Sequence, residues 1–128
     1  MNSVVFDASA LMTMLNQESG ADQLTPDILV NAVSSTVNLA EVQSKLVNRG
    51  LPSNQAWVAT LNSVSKAVAF TAEHARIAGN LIAETRPLGL SLGDRACLAL
   101  AIDLKASVYT ADRSWRNLKL GIRIHVIR

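Results

Sequence analysis

Short apolar runs alternate with longer helical segments along this chain, and that alternation restricts the fold more than any other feature. Five runs are suited to strands, and they cover residues 3–6, 30–36, 68–70, 107–109 and 123–127. Helices of about ten to fifteen residues separate most of them, which is typical of βαβ units. Strands joined through helices make right-handed crossovers, so the sequence predicts an α/β fold with a parallel sheet.

The predicted helices have recognisable boundaries. They cover residues 8–16, 38–49, 53–65, 72–84 and 91–105. Gly50 and Pro52 end the second of these helices, since glycine is favoured after a helix and proline cannot continue one. Gly20 and Pro26 break the stretch after the first helix and leave room for one short helical turn. Residues 86–90 are expected to form a loop.

Length and composition indicate one folded domain spanning residues 1–128. The chain is 49% hydrophobic and only 17% charged, which argues against disorder. Its one cysteine, Cys97, excludes an internal disulfide, and we interpret it as a small buried side chain on a helix rather than a reactive thiol. The chain has no long apolar run that could span a bilayer and does not begin like a signal peptide, so we expect a cytoplasmic protein.

Four acidic residues are expected at one edge of the sheet. Asp7 directly follows the first strand, and Asp112 comes shortly after the fourth. Both lie beyond the carboxyl ends of parallel strands, where open α/β sheets place their ligands. Glu41 and Asp94 are each predicted in the first turn of a helix, and the helix of Glu41 starts just after the second strand. The sequence therefore predicts an acidic site at this edge.

Each acid also has a structural explanation. Glu41 and Asp94 stand three residues after a capping residue, as in a capping box. Asp7 and Asp112 fit the N-cap position of a helix. Capping does not explain why four acids converge, because carboxylates this close repel one another unless they are protonated or bridged by a cation. Oxygen ligands of this kind favour Mg²⁺ or Mn²⁺.

The segments that carry these acids resemble, in order and spacing, the four motifs of the PIN-domain nucleases. They are Asp7-Ala8-Ser9-Ala10-Leu11, Asn38-Leu39-Ala40-Glu41, Ser91-Leu92-Gly93-Asp94 and Thr110-Ala111-Asp112. The resemblance covers essentially the whole chain, whose size is similar to that of VapC-type toxins from bacterial toxin–antitoxin pairs. It implies a three-layer domain in which helices flank a parallel sheet of strand order 3-2-1-4-5.

The resemblance also implies a function. It makes Asp7, Glu41, Asp94 and Asp112 ligands of Mg²⁺ or Mn²⁺, with Ser9 and Thr110 as supporting hydrogen-bond donors. The implied reaction is hydrolysis of RNA phosphodiester bonds, leaving a 5′ phosphate and a 3′ hydroxyl. The implied partners are an RNA substrate, a cognate antitoxin and a second copy of the chain.

Several basic side chains are candidates for contacts with RNA phosphates. They are Arg113, Arg116 and Lys119, just past Asp112, and Lys45 and Arg49, on the helix after Glu41. A solvated charged surface explains them equally well. Trp115 could stack on a base, although a tryptophan here more often fills the core. The histidines, His74 and His125, are not needed for the chemistry.

Two other functional classes stay open. One is a PIN scaffold that binds RNA or an antitoxin without turnover, and the intact acids argue against it. The other is a phosphoryl-transfer or receiver-like protein, which would pair two acids near the first strand and carry a lysine late in the sheet. Asp7 has no acidic neighbour and the fourth strand has no lysine at its end.

A homodimer is expected from the apolar faces of two helices. The helix over residues 53–65 carries Trp57, Leu61 and Val64 on one stripe, with Val58 beside them. Part of this surface, together with the helix over residues 72–84, is expected to stay exposed, and such patches usually mark association surfaces. The alternative is that both helices are fully used in covering the sheet.

Overall fold

The computed structural model describes residues 2–128 and confirms the predicted alternation of strands and helices. In chain order the elements are β1 (Val4–Phe6), α1 (Ala8–Asn16), α2 (Pro26–Leu29), β2 (Ala32–Ser35), α3 (Thr36–Asn48), α4 (Ser53–Asn62), β3 (Lys66–Val68), α5 (Ala72–Asn80), α6 (Ile82–Thr85), α7 (Leu92–Leu104), β4 (Ser107–Thr110) and β5 (Ile124–Val126). Short 3₁₀ turns cover Ala21–Gln23, Arg86–Leu88 and Arg113–Asn117.

The five strands form one parallel sheet in the predicted order β3-β2-β1-β4-β5. At its centre, Val5 of β1 pairs with Val33 of β2 and Val108 of β4. The backbone N–H of Asp7 extends the β1–β4 pairing by donating to the carbonyl of Tyr109 at 3.2 Å. The chain therefore leaves β1 with Asp7 held at the carboxyl edge of the sheet.

Helices cover both faces of this sheet, which confirms the three-layer architecture. Successive residues of a strand point to opposite faces, and β1 shows this directly. Phe6 packs with Leu11 of α1 and Leu39 of α3 in one buried cluster. Val5 packs with Leu98 of α7 in a second buried cluster on the other face. No helix within residues 2–128 is both long enough and apolar enough to cross a membrane.

Some predicted boundaries were wrong. The helix α3 starts at Thr36, because the hydroxyl of Ser35 accepts a hydrogen bond from the N–H of Val37 and caps it. The third strand covers residues 66–68 instead of 68–70, and the turn predicted before β2 is two short helical turns. The helix predicted over residues 72–84 breaks after Asn80. Gly79 and Asn80 are weak helix formers, which favours an end at this point.

Candidate active site

Asp7 is a buried carboxylate held by its neighbours. It caps α1, since one carboxylate oxygen, Oδ1, accepts a hydrogen bond from the N–H of Ala10 at 2.8 Å. The hydroxyl of Ser9 donates to this carboxylate at 2.7 Å, and the hydroxyl of Thr110 donates to the other oxygen, Oδ2, at 2.6 Å. Ser9 and Thr110 therefore lie where the sequence predicted supporting hydroxyls, and they come from opposite ends of the chain.

The environment of Asp7 disfavours its charged form. Burial raises the pKa of this carboxyl from 3.8 to about 6, against the lowering effect of hydrogen bonds from Thr110, Ala10 and Ser9. The negative charge of Asp94 makes a smaller contribution to the same rise. Desolvation and a nearby like charge both disfavour an anion. A divalent cation at this place would reverse both effects, so the donor chemistry fits a hard metal ion.

Glu41 reaches the same region from α3. Its carboxylate accepts a hydrogen bond from the side-chain amide of Asn38 at 2.9 Å, and the same amide nitrogen donates to the carbonyl of Gly93 at 3.0 Å. A Cβ atom on Gly93 would overlap the Glu41 carboxylate. Glu41 therefore lies directly against the first turn of α7, in a space that only glycine leaves open.

The alternative explanation of Glu41, a capping box at the start of its helix, is wrong. Ser35 caps α3, which places Glu41 in the second turn of that helix rather than the first. Asn38, expected to begin the helix, lies inside it. Its buried side-chain amide oxygen, Oδ1, has no hydrogen-bond partner among the described residues. With its carboxylate free of helix capping, Glu41 is available to the site.

Asp94 has the capping role that the sequence left open beside the role of a metal ligand. It forms a capping box at the start of α7, where its Oδ2 accepts from the N–H of Ser91 at 2.8 Å and its own N–H donates to the Ser91 hydroxyl at 3.1 Å. Within residues 2–128, no hydrogen bond uses the other carboxylate oxygen, Oδ1. Capping therefore occupies only one of its two oxygens.

Cys97 lies one helical turn after Asp94 on α7, and its thiol is affected by the charges of several acids. The residue is completely buried, as the sequence predicted for a small core side chain. Burial raises the pKa of its thiol well above the ordinary value, and the negative charges of Asp7, Asp94 and Glu41 raise it further. Three of the four predicted acids are therefore close enough to this part of α7 for their charges to act on the same thiol.

Asp112 is the least closely connected of the four acids. It caps the 3₁₀ turn Arg113–Asn117, where its Oδ1 accepts from the N–H and the hydroxyl of Ser114 at 2.9 and 2.8 Å. Its link to Asp7 is indirect, because its backbone N–H donates to the Thr110 hydroxyl at 3.1 Å. Among the described residues, no three His, Cys, Asp or Glu side chains form a ready-made metal cluster. The four-acid metal site stays a prediction.

The predicted RNA-contacting residues lie on two separate elements. Lys45 is exposed on α3, one turn beyond Glu41, while Arg113 and Arg116 are exposed on the 3₁₀ turn after Asp112. The guanidinium of Arg113 donates to the backbone carbonyl of Arg128 at 3.3 Å. Arg128 lines a cavity beside the acidic site, and sequence reasoning missed it, because one basic residue after a strand makes no pattern.

The aromatic and histidine side chains are used elsewhere. Trp115 is completely buried in the core, so it cannot stack on an RNA base in this conformation. His74 is buried at the start of α5, where its Nε2 bonds to Asp103 at 2.9 Å. The ring of His125 stacks on Tyr109, with ring centroids 4.6 Å apart.

Together the fold and the site define an α/β domain with a five-stranded parallel sheet and acidic residues at its carboxyl edge, and comparison with known proteins gives its family. The family model for the PIN domain matches residues 4–120. The chain belongs to the PIN domain family. The prediction made from the four motifs is thereby confirmed at the level of the family. A comparison with curated protein sequences gave no match.

Solved structures of toxin–antitoxin proteins share the fold at low sequence identity. DNA-bound VapBC from Salmonella typhimurium is 17% identical with a TM-score of 0.75, and the match covers 100% of both chains. VapBC2 from Rickettsia felis, bound to a promoter DNA fragment, is 18% identical over 98% of each chain, with a TM-score of 0.73. VapC20 from Mycobacterium tuberculosis, a Sarcin-Ricin loop cleaving toxin, is 19% identical over 94% of this chain and 99% of its own, with a TM-score of 0.71.

Proposed function

We propose that this protein is a metal-dependent endoribonuclease that acts as the toxin of a toxin–antitoxin pair. The observation that carries the proposal is the environment of Asp7. Its carboxyl is buried next to the charge of Asp94, and its pKa is raised to about 6. A purely structural cap gains little from such a place, whereas a ligand of a divalent cation is stabilised there as soon as the cation binds.

Asp7, Asp94 and Glu41 would hold the ion, with Asp112 as a further ligand, directly or through water. All of them offer carboxylate oxygens, which suit Mg²⁺ or Mn²⁺. When bound, such an ion supplies an activated water and shields the charge on the leaving oxygen. Among the chain's own residues, Ser9 and Thr110 fix the Asp7 carboxylate. Asn38 fixes Glu41, which can then orient the attacking water.

The toxin assignment is supported by the similarity of the fold to solved VapBC complexes. The proposal therefore includes a cognate antitoxin, which covers the acidic cleft. It also includes a cytoplasmic location. VapC20 is described as a toxin that cleaves the Sarcin-Ricin loop. For the present protein we propose only the class of substrate, RNA.

A homodimer is also part of the proposal. Trp57, Val58 and Leu61 of α4 are 44%, 60% and 41% exposed, which leaves an apolar patch on one helix. Val64, predicted on the same stripe, lies past the end of α4 and packs against the core. In the helix predicted over residues 72–84, Ala78 and Leu81 are buried. The exposed patch is therefore centred on α4.

Metal-dependent RNA cleavage tests the catalytic part of the proposal. We expect purified protein to cut single-stranded RNA with Mn²⁺, to leave 5′ phosphate ends, and to be inactive in chelator. Asp94→Asn should abolish cleavage, because it removes a negative ligand while an amide can keep the helix cap. Asp27→Asn is the matched control, since it makes the same change at an exposed aspartate in the first turn of another helix, α2. If Asp94→Asn cleaves as fast as the control, the assigned site is wrong.

Expression in a bacterial host tests the toxin part. The wild-type chain alone should arrest growth, and Asp94→Asn should not. Harmless expression of folded wild-type protein, with cellular RNA intact, would contradict the toxin assignment and leave the nuclease assignment to the assay in vitro. RNA binding without any metal-dependent cleavage would instead support the alternative, a non-catalytic RNA- or antitoxin-binding PIN module.

A further inference from the structure

A cavity of about 380 Å³ opens beside the acidic site. Seven residues line it, from α1, α3 and the segments after α1, α3 and β5: Ser9, Met12, Glu18, Lys45, Asn48, Arg49 and Arg128. Ser9 is the same residue whose hydroxyl donates to Asp7 at 2.7 Å. One end of the cavity therefore touches the group that holds the candidate metal ligand.

The charged groups in the cavity are mainly positive. Three cations, Lys45, Arg49 and Arg128, face one anion, Glu18, which leaves a net charge of 3 − 1 = +2. Glu18 is already used, since its carboxylate accepts from the Arg128 guanidinium at 2.8 Å and its pKa is lowered first by that hydrogen bond. Within residues 2–128, the side chains of Lys45 and Arg49 have neither a hydrogen-bond nor a salt-bridge partner, although the charge of Arg49 makes a small contribution to lowering the pKa of Glu18.

Lys45 and Arg49 continue a line of residues that starts with Glu41 at the acidic site. Glu41 and Lys45 of α3 and Arg49, the C-cap of this helix, follow one another at four-residue intervals, so they share one face of the helix. A four-residue step along a helix advances by roughly 6 Å, which is comparable with the distance between neighbouring phosphates on an extended RNA strand. An RNA strand with its scissile phosphate at the acidic site would place the next two phosphates at Lys45 and Arg49.

We propose that this cavity is a binding site for the RNA backbone, in which Lys45 and Arg49 hold phosphates next to the scissile one. Arg128, fixed by Glu18 and by a 3.2 Å hydrogen bond to the Thr13 hydroxyl, forms its outer wall. The inference rests on the proposed ribonuclease function and adds where the substrate lies. RNA is favoured over an acidic protein segment because the cations are spaced as successive phosphates and lead directly to the hydrolytic site.

Binding of a labelled oligouridylate tests the proposal without any cleavage. Fluorescence anisotropy in chelator, over a range of salt concentrations, compares wild type with the double variant Lys45→Gln/Arg49→Gln. Each phosphate contact to a single strand contributes about 0.7 to the slope of log affinity against log salt, so the loss of two contacts should reduce the slope by about 1.4. Circular dichroism verifies that the variant, changed only at exposed positions, is folded.

A second double variant, Lys66→Gln/Arg123→Gln, is the matched control. It also removes one lysine and one arginine, both exposed. Lys66 starts β3 and Arg123 directly precedes β5, so both lie at the amino ends of strands, whereas the acidic site lies at the carboxyl ends. The control should keep the wild-type slope. An unchanged slope in Lys45→Gln/Arg49→Gln, or an equal decrease in the control, would overturn the proposal.

Two further outcomes distinguish this proposal from a site for an acidic polypeptide and from the proposed catalytic function. If Lys45→Gln/Arg49→Gln keeps RNA affinity but loses binding to polyglutamate, the cavity binds an acidic polypeptide and the RNA proposal is overturned. If wild type binds RNA with the expected difference in slope but does not cleave it with Mn²⁺, the backbone site is supported while the proposed catalytic function fails.

Discussion

Asp7 is both the cap of helix α1 and a buried carboxylate, and these two features predict different responses to substitution. As a cap it contributes through the hydrogen bond from Ala10, and asparagine caps a helix about as well as aspartate. As a buried charge it opposes folding of the metal-free protein at neutral pH. Asparagine keeps the first contribution and removes the second.

We therefore expect Asp7→Asn to stabilise the metal-free protein in a pH-dependent way. Because the pKa of Asp7 in the fold is raised from 3.8 to about 6, the folded state binds more protons than the unfolded state between these values. The stability contributed by the neutral acid is complete below pH 3.8 and is lost as the pH rises through about 6. The variant should gain relative to wild type over this window, by about 3 kcal/mol at most.

Urea unfolding in chelator at several pH values measures this difference. Asp7→Ala is the control, since it also removes the charge but loses the cap, at a cost of about 1 kcal/mol. Parallel pH profiles for wild type and Asp7→Asn would contradict the raised pKa. With Mn²⁺ added, wild type should be stabilised and Asp7→Asn should respond much less.

Gly93 gives a second prediction at the scale of one residue. Alanine is favoured over glycine in a helix by up to about 1 kcal/mol, but a methyl group at this position would overlap the Glu41 carboxylate. Gly93→Ala should thus move Glu41 and reduce metal-dependent RNA cleavage while leaving the fold at least as stable. Gly79→Ala on α5 is the control, because the space around it is open. Equal cleavage by both variants would show that the position of Glu41 does not matter.

At the scale of elements, Asn38 connects helix α3 to helix α7. Its amide nitrogen bonds both Glu41 and the carbonyl of Gly93, and the residue is buried. Asn38→Ala would leave the Gly93 carbonyl without this partner and should destabilise the protein by about 1–3 kcal/mol. Asn62→Ala, at an exposed position in α4, should change stability by much less. Chemical denaturation distinguishes the two, and equal stabilities would rule out this connection.

Sequence reasoning predicted the elements well where they depend on local patterns. Apolar strand runs between amphipathic helices were enough to predict the parallel sheet. The start of α3 was misplaced because Ser34, Ser35 and Thr36 offer several capping side chains in a row, and only the folded chain selects Ser35. The break between α5 and α6 was missed because Ala78 and Leu81, on either side of Asn80, still follow the apolar pattern of one continuous helix.

The candidate site was also predictable where it depends on local patterns, but not where it depends on contacts between distant residues. Asp7 was expected at the carboxyl edge because it follows a strand directly. That Asn38 and Gly93 position Glu41 could not be foreseen, since this contact joins residues more than fifty positions apart. The cavity wall formed by Arg128 depends in the same way on the return of the chain to α1.

At the scale of the whole molecule, the exposed patch on α4 predicts self-association. A symmetric dimer is the commonest way to cover such a surface. Light scattering at micromolar concentration should give a dimer mass for wild type, and Trp57→Glu/Leu61→Glu should shift it to the monomer without unfolding it, because both side chains are about half exposed. The double variant Gln55→Glu/Asn62→Glu, with exposed polar residues on the same helix, controls for added charge. A monomeric wild type would contradict the dimer.

Cys97 is completely buried and lies within the influence of three negative charges, so it can serve as an internal probe of local unfolding. Only the thiolate reacts readily with alkylating reagents, and both burial and negative charge suppress it here. Labelling of this single cysteine should therefore wait for an unfolding event that exposes α7. The rate of labelling at neutral pH, followed by mass spectrometry, would measure how often the native protein opens, and bound Mn²⁺ should slow it.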